Sequence, residues 1–211
     1  WVQAIAFALY LWWSPRFADL QLFSHWHAPR WSVQRDLLRT GLPIGVMVAM
    51  EGSLFIVTAL LIGRLGELPV AAHQIAINVA SMCFMIPFGV AEATTVRVGH
   101  AVGRRDIEAA KRAGFAALAL GAIFMAVMTL VVALLRHWIP IAFLGASAAT
   151  ATETVALAAF LLALSTSFFI ADGLQTIAAG ALRGLNDTRV PLFFAAFAFW
   201  PIGMFAGFEL A

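Results

Sequence analysis

The chain has 211 residues, 63% of them hydrophobic and 11% charged, with a net charge of +2. Soluble domains carry about a quarter charged residues, so this composition, with a mean hydropathy of +0.92, excludes an ordinary soluble domain and indicates an integral membrane protein. The single cysteine, Cys83, excludes an internal disulfide and reads as a small packed hydrophobe in its apolar run.

A spanning helix needs about 20 mostly apolar residues. Residues 1–13 start at Trp1 rather than Met and look like the end of a truncated transmembrane helix, with no basic leader or cleavage site of a signal peptide. A more polar connection, 14–41, follows. Five long apolar runs then come at about 42–63, 69–96, 113–135, 153–182 and 190–208. None alternates with a period of two, so helices rather than strands are expected. The expected architecture is an all-α, polytopic helix bundle: five full transmembrane helices within 42–211, plus part of a sixth. The last stretch, FWPIGMFAGFELA, is still apolar, and the whole reads as a piece of a longer membrane protein.

Local signals mark the boundaries. Pro43 suits the first turn of a helix starting near 42, where its missing N–H costs little. Asp106 suits the cap of a short surface helix, IEAAKR. Pro87 and Gly89 predict a kink or a loosened ladder in the 69–96 run.

The basic residues alternate from one connection to the next. Arg16, Arg30, Arg35 and Arg39 precede the first long run; Arg97, Arg104, Arg105, Lys111 and Arg112 fall between the second and third; Arg183 and Arg189 lie before the last. The intervening connections hold only Arg64 and Arg136. By the positive-inside rule the eleven lie in the cytoplasm. These clusters read as orientation signals and lipid headgroup contacts, with no nucleic acid implied.

Three acids fall inside spans: Glu51, Glu92 and Asp172. A charge at mid-bilayer costs roughly 2.5–3.5 kcal/mol on insertion scales, so such residues point to function. Glu51 lies about nine residues into an inside-to-outside helix, roughly 14 Å deep, and Asp172 about 11 residues before Arg183, roughly 16 Å from the same face. The two arrive at nearly one depth. Glu92 is five residues from Arg97 and is expected to reach that arginine or interfacial water.

Around Asp172, helical spacing puts Ser165, Phe168, Gln175 or Thr176, and Ala179 on one stripe; around Glu51 the stripe is Met47, Leu54, Phe55 and Thr58. No arginine or lysine lies at this depth. Such a carboxylate must be protonated, bind a metal cation, or bind an organic cation. One site exchanging these three states describes an antiporter driven by protons or sodium. The bland alternative is a neutral acid hydrogen-bonded between helices.

Other features carry less. His25 and His27 have no third ligand nearby, and His73 and His100 fall near opposite membrane edges. No nucleophile–base pairing and no G-x-S-x-G, H-E-x-x-H or phosphate-loop pattern suggests an enzyme, and no cofactor is implied.

The segments GLPIGVMVAMEGSLF, VAAHQIAINVASMCFMIPFGVAEATTVRVGHAVG and GALRGLNDTRVP occur in an order that resembles the C-terminal half of MATE (multidrug and toxic compound extrusion) transporters, the NorM-like bacterial branch in particular. The resemblance runs over about 35–208. It implies twelve helices in two lobes in the whole protein, a bacterial inner (plasma) membrane location, and export of small cationic organic compounds in exchange for Na+ or H+. It further implies a partner lobe, the N-terminal one, that this chain lacks. By position it implies that Glu51 and Asp172 form the cation site, with Na+ a possible metal there. Gln74 matches a polar position near that site, and Phe168 an aromatic position four before the acid. Where the family often has Gln three before that acid, this chain has Phe169, one polar ligand fewer. The alternatives are a lipid-linked precursor flippase or other exporter of the same wider fold, or a non-transport membrane subunit. A pyrophosphate cargo would call for embedded Arg or Lys.

The alternation of basic residues is directly testable. Reporter fusions after Arg105 and Arg189 should be cytoplasmic, and fusions near Gly66 and Ala148 external. A cytoplasmic signal at Gly66 would overturn the orientation.

Overall fold

The computed structural model describes residues 1–13, 30–198, 201 and 203. The described part is helical throughout and falls into two compact units, residues 1–39 and 40–211. The first unit contains α1 (Val2–Trp13), in which no residue is buried, and the start of α2. Arg16, His25 and His27 lie outside the described residues.

In the second unit, α2 (Trp31–Gly63) continues from Thr40 and is followed by α3 (Glu67–Gly103) and α4 (Ile107–Leu135). A short α5 (Trp138–Leu144) and a 3-10 turn (Gly145–Ala149) lead to α6 (Thr152–Thr166), α7 (Phe169–Gly184) and α8 (Arg189–Phe197). Three helices, α2, α3 and α4, are long and apolar enough to span a membrane, and α6 with α7 passes the same test as a pair bent by 49°. That is one span fewer than the five expected, because α8 is described only as far as Phe197. Beyond it only Ala198, Pro201 and Gly203 of the expected 190–208 run are described.

At 1.5 Å per residue α3 is about 55 Å long, well beyond a hydrocarbon core of about 30 Å. It is the central helix, packing against α4, α6 and α7, while α4 also packs on α6 and α7. Val79 and Cys83 of α3 meet Met125 and Val132 of α4, Leu162 of α6 and Phe169 of α7 in the main core. A smaller cluster next to it joins Ala72, Ile75 and Ala158, with Ile139 and Leu161 packed against both. The outer faces keep large apolar side chains exposed, such as Leu134, Phe160 and Phe193. In a membrane that surface meets lipid and needs no covering.

Small residues set the α3–α7 distance. A Cβ on Gly180 would come within 2.5–2.9 Å of the Ala91 backbone, and one on Gly184 within 2.8 Å of the Thr95 carbonyl and the Val98 Cβ. Because the backbones lie this close, Thr95 Oγ1 can donate across the interface to the Gly180 carbonyl at 2.8 Å, as well as to Ala91 O at 3.0 Å in its own helix. On the α4 side, a Cβ on Gly121 would collide with the Ile177 side chain.

The α3–α4 and α7–α8 connections use one device twice. Arg105 and Asn186 take left-handed conformations, with φ of 58° and 61°. The next N–H, of Asp106 or Asp187, donates back to Ala101 O or Leu182 O at 2.9 Å, closing the helix C-terminus. The same aspartate then caps the following helix: Asp106 Oδ1 accepts from Ala109 N at 2.9 Å, and Asp187 Oδ1 from Arg189 N and Val190 N at 3.1 and 3.2 Å.

Several local expectations change. Asp106 caps α4 itself rather than a separate surface helix, since nothing in IEAAKRAGF interrupts the ladder. α2 begins at Trp31, inside the expected 14–41 connection, so Pro43 sits within the helix rather than in its first turn. The hydrogen bond that Pro43 cannot give is the one to the Arg39 carbonyl, near the polar end of the helix, where water can replace it. α3 runs unbroken through Pro87, which is fully buried.

The expected 153–182 span is instead two helices. Ser165, Thr166 and Ser167 each turn a hydroxyl back onto a carbonyl of the preceding turn (Leu161 O 2.9 Å, Ala163 O 2.6 Å, Leu164 O 2.7 Å). Ser167 N and Phe168 N bond only three residues back, at 3.1 and 3.3 Å. Consecutive side-chain back-bonds and a tightened turn are a recognised cause of helix bending.

The close crossing predicts a steep cost for added bulk. Gly180→Val should lower stability by about 1–3 kcal/mol through overpacking, read as a drop in the thermal unfolding midpoint of the purified protein. Gly114→Ala, with open space around its Cα, is the control and should not lower it.

Candidate functional site

A cavity of about 540 Å³ lies in the second unit, with walls from α2, α3, α4, α6 and α7. It exists because α2 stands off: among the described residues no Cα of α2 comes within 8 Å of a Cα in α3–α8.

Glu51 and Asp172 both line this cavity. Neither carboxylate has a hydrogen-bond or ion-pair partner among the described residues. Among the described residues no lysine or arginine lines the walls. Asp172 sits in the first turn of α7, just past the bend, where the positive end of the helix dipole favours a carboxylate. The helix break therefore places the acid on the cavity as well as interrupting the span. Two carboxylates on an apolar wall, without a fixed cation, leave the site able to take up protons or a cation from solution.

Phe168 lines the cavity beside Asp172, edge-on to Phe169 with ring centroids 5.7 Å apart and planes at 89°. Phe169 is buried in the main core and supplies apolar packing where a glutamine would supply an amide. Ser165 and Thr58, expected on the stripes of the two acids, line the cavity too, but Gln175 is exposed and away from it. Thr176 donates to the Asp172 carbonyl at 3.0 Å rather than to its side chain.

Gln74 does not belong to this cavity. It is exposed on α3, and its neighbour His73 lines the wall instead. Adjacent helical residues point about 100° apart, so two neighbours need not share a wall, and here His73 takes it. Ser81 and Met125 are further lining residues that pattern reading did not single out; a lone serine and a lone methionine in apolar runs give no signal to find them by. No three of the His, Cys, Asp and Glu side chains among the described residues cluster closely enough to hold a metal ion together. His73 is thus no third ligand to the two acids.

Glu92 pairs with Arg183, not Arg97: Glu92 Oε1 lies 3.1 Å from Arg183 Nη1. A spacing of five puts Glu92 and Arg97 about 140° apart around α3, whereas the crossing brings α7 alongside. The pair is remote from the cavity lining.

Cys83 is buried and is the only cysteine, so introduced thiols can report on the cavity alone. Ser165→Cys and Thr58→Cys should react with a small water-soluble methanethiosulfonate, and Gly121→Cys, packed against Ile177, should not. Equal labelling of all three would contradict the walls described here.

The MatE family model matches residues 43–208. The chain is 58% identical over 204 residues to a probable multidrug resistance protein NorM of Xanthomonas campestris, covering 97% of this chain and 43% of that protein. It is 50% identical over 215 residues to a counterpart of the same name in Xylella fastidiosa, covering all of this chain and 44% of the relative. A multidrug resistance protein NorM of Burkholderia vietnamiensis is 44% identical over 183 residues. The chain thus spans a little over two-fifths of the length of the curated relatives it matches.

Proposed function

The chain belongs to the MatE family, a family of multi-pass membrane transporters, and on that premise we propose that it forms the half of a secondary antiporter that carries its cation site. Small cationic organic compounds leave the cell as Na+ or H+ enters, and Glu51 and Asp172 are the groups that both cations visit in turn. The relatives are named for multidrug resistance, which supports export of toxic organic compounds as the task. With bacterial relatives throughout, the setting is the inner membrane.

One observation carries the reading. Two carboxylates from different helices open on one apolar cavity, with no fixed positive charge among the described residues of its walls. A pair of negative charges in a low-dielectric setting attracts any cation strongly, and they cannot both remain bare there at low cost. Protonation or sodium uptake relieves the repulsion, and so does an organic cation. Each occupant weakens binding of the other, which is the coupling an exchanger needs. Phe55, Phe84 and Phe168 offer ring faces to the apolar body of such a cation. The remainder of a full-length relative would supply the other lobe facing α2 and α3.

The flippase reading is less well supported. A pyrophosphate head needs lysine or arginine inside the membrane, and none of the described residues in this cavity's walls is either.

The test is dye efflux from cells making a full-length chimera, in which residues 1–211 replace the matching segment of the Xanthomonas campestris relative. Asp172→Asn and Glu51→Gln should each cut efflux of a cationic dye by about tenfold or more, the usual size of a coupling free energy, at unchanged protein level. Glu92→Gln should leave efflux near the parent value, since the Glu92–Arg183 pair lies away from the cavity lining and a glutamine oxygen can still accept from Arg183. Near-normal efflux by Asp172→Asn would defeat the proposal.

A further inference from the structure

The cavity holds a second polar layer. A Cβ placed on Gly173 would meet Pro87 Cγ at 3.4 Å, so Asp172 lies level with Pro87 on α3. Ser81 precedes Pro87 by six residues, about 9 Å along the helix. Ser165 precedes Asp172 by seven, about 10 Å along the bent pair, and Thr58 follows Glu51 by seven, about 10 Å along α2. Given the alternating directions of these helices, all three steps run the same way, toward the external face. All three hydroxyls line the cavity. Three separate helices therefore bring one hydroxyl each to a common level, one layer outward of the carboxylates.

What lies between and around the layers is apolar, with Phe55, Phe84 and Leu161 on the walls. The Ser165 hydroxyl already donates to Leu161 O at 2.9 Å, which leaves its oxygen to accept. Thr58 and Ser81 make no side-chain hydrogen bond among the described residues, so each keeps a donor and an acceptor for a ligand. Isolated hydroxyls on an apolar wall with nothing to bond gain most from a ligand that brings a polar group to them. His73 lies a further eight residues outward along α3, about 12 Å, beyond this layer.

We propose that Thr58, Ser81 and Ser165 form a specificity layer that selects cations bearing a hydrogen-bonding group about 10 Å from the positive charge. The proposal rests on the reading of Glu51 and Asp172 as the cation site and adds the rest of the pharmacophore. The charged head is held at the carboxylates, an apolar link follows the phenylalanine-lined wall, and a hydroxyl, amide or amine at the far end bonds to the hydroxyl layer. A plain alkyl cation of equal length fills the same space and leaves the layer unsatisfied.

The experiment measures binding by displacement of tetraphenylphosphonium from the purified full-length chimera. The competitors are ω-hydroxyalkyl-trimethylammonium ions and their methyl-terminated counterparts of equal length. An extended chain advances roughly 1.2 Å per bond, so a separation near 10 Å corresponds to about seven methylenes. The hydroxyl-ended ion should bind about fivefold tighter than its counterpart at that length, the worth of one added hydrogen bond. At about three and eleven methylenes the preference should vanish. Thr58→Val, Ser81→Ala and Ser165→Ala together should abolish the preference without weakening the methyl-ended ions. A preference that does not vary with chain length in the parent overturns the proposal, and so does one that persists in the triple variant. Asp172→Asn separates the two readings: if it binds every cation as the parent does while the triple variant loses the preference, the hydroxyl layer stands and the carboxylate site falls.

Discussion

The near-contact of α3 with α7 is the constraint on which the rest depends. Lipid tails are as apolar as leucine, so helices in a membrane gain little from hiding apolar surface and must associate through close packing and hydrogen bonds. Gly180 and Gly184 let the backbones approach until a Cβ would have no room, and Thr95 uses that proximity to bond across to Gly180. The same approach sets Gly173 against Pro87 and Met125. Asp172, one residue earlier, is thereby fixed in depth and turned to the cavity side. Widening this crossing by one methyl group would move the acid as well as loosen the bundle.

The break between α6 and α7 follows from the same economy. A continuous helix satisfies its own backbone groups, which the membrane interior otherwise leaves bare. Ser165, Thr166 and Ser167 permit an interruption because their hydroxyls bond to carbonyls of the preceding turn. The bend then presents the start of α7 and Asp172 to the cavity. Irregular backbone at membrane depth is tolerated where it lines a cavity or is covered by protein, and this break does the former.

The cavity is built by difference. α3, α4, α6 and α7 pack tightly around buried residues such as Met125, Leu162 and Ile177, while α2 keeps its backbone away from them. Polar groups lining the space left over are few among the described residues: two carboxylates, three hydroxyls and His73. The Glu92–Arg183 pair sits on the basic-rich side of the same crossing, where it joins α3 to α7 outside the cavity.

The sequence by itself determined the helical class, the apolar runs that become α2, α3, α4 and the α6–α7 pair, and the unusual pair of acids. Each of these is a property of single segments: apolar length, the cost of a charge at mid-bilayer. Glu51 and Asp172 stood out because a carboxylate conflicts with an apolar run, whereas Phe168 was singled out by its position in the family resemblance. The tertiary structure alone decided which residues share a space. His73 faces the cavity and Gln74 does not, because one step around a helix turns a side chain by about 100° and only the neighbouring helices define the inner side. Glu92 took Arg183 rather than Arg97 because the crossing brings α7 nearer than the far side of its own helix. The α6–α7 break escaped the hydropathy pattern, since serine and threonine barely lower the apolarity of a span while their hydroxyls compete for its carbonyls. Ser81 and Thr58 are ordinary residues in their own helices. They become a layer with Ser165 only when three helices of opposite direction are set side by side, a relation between segments that no single segment encodes.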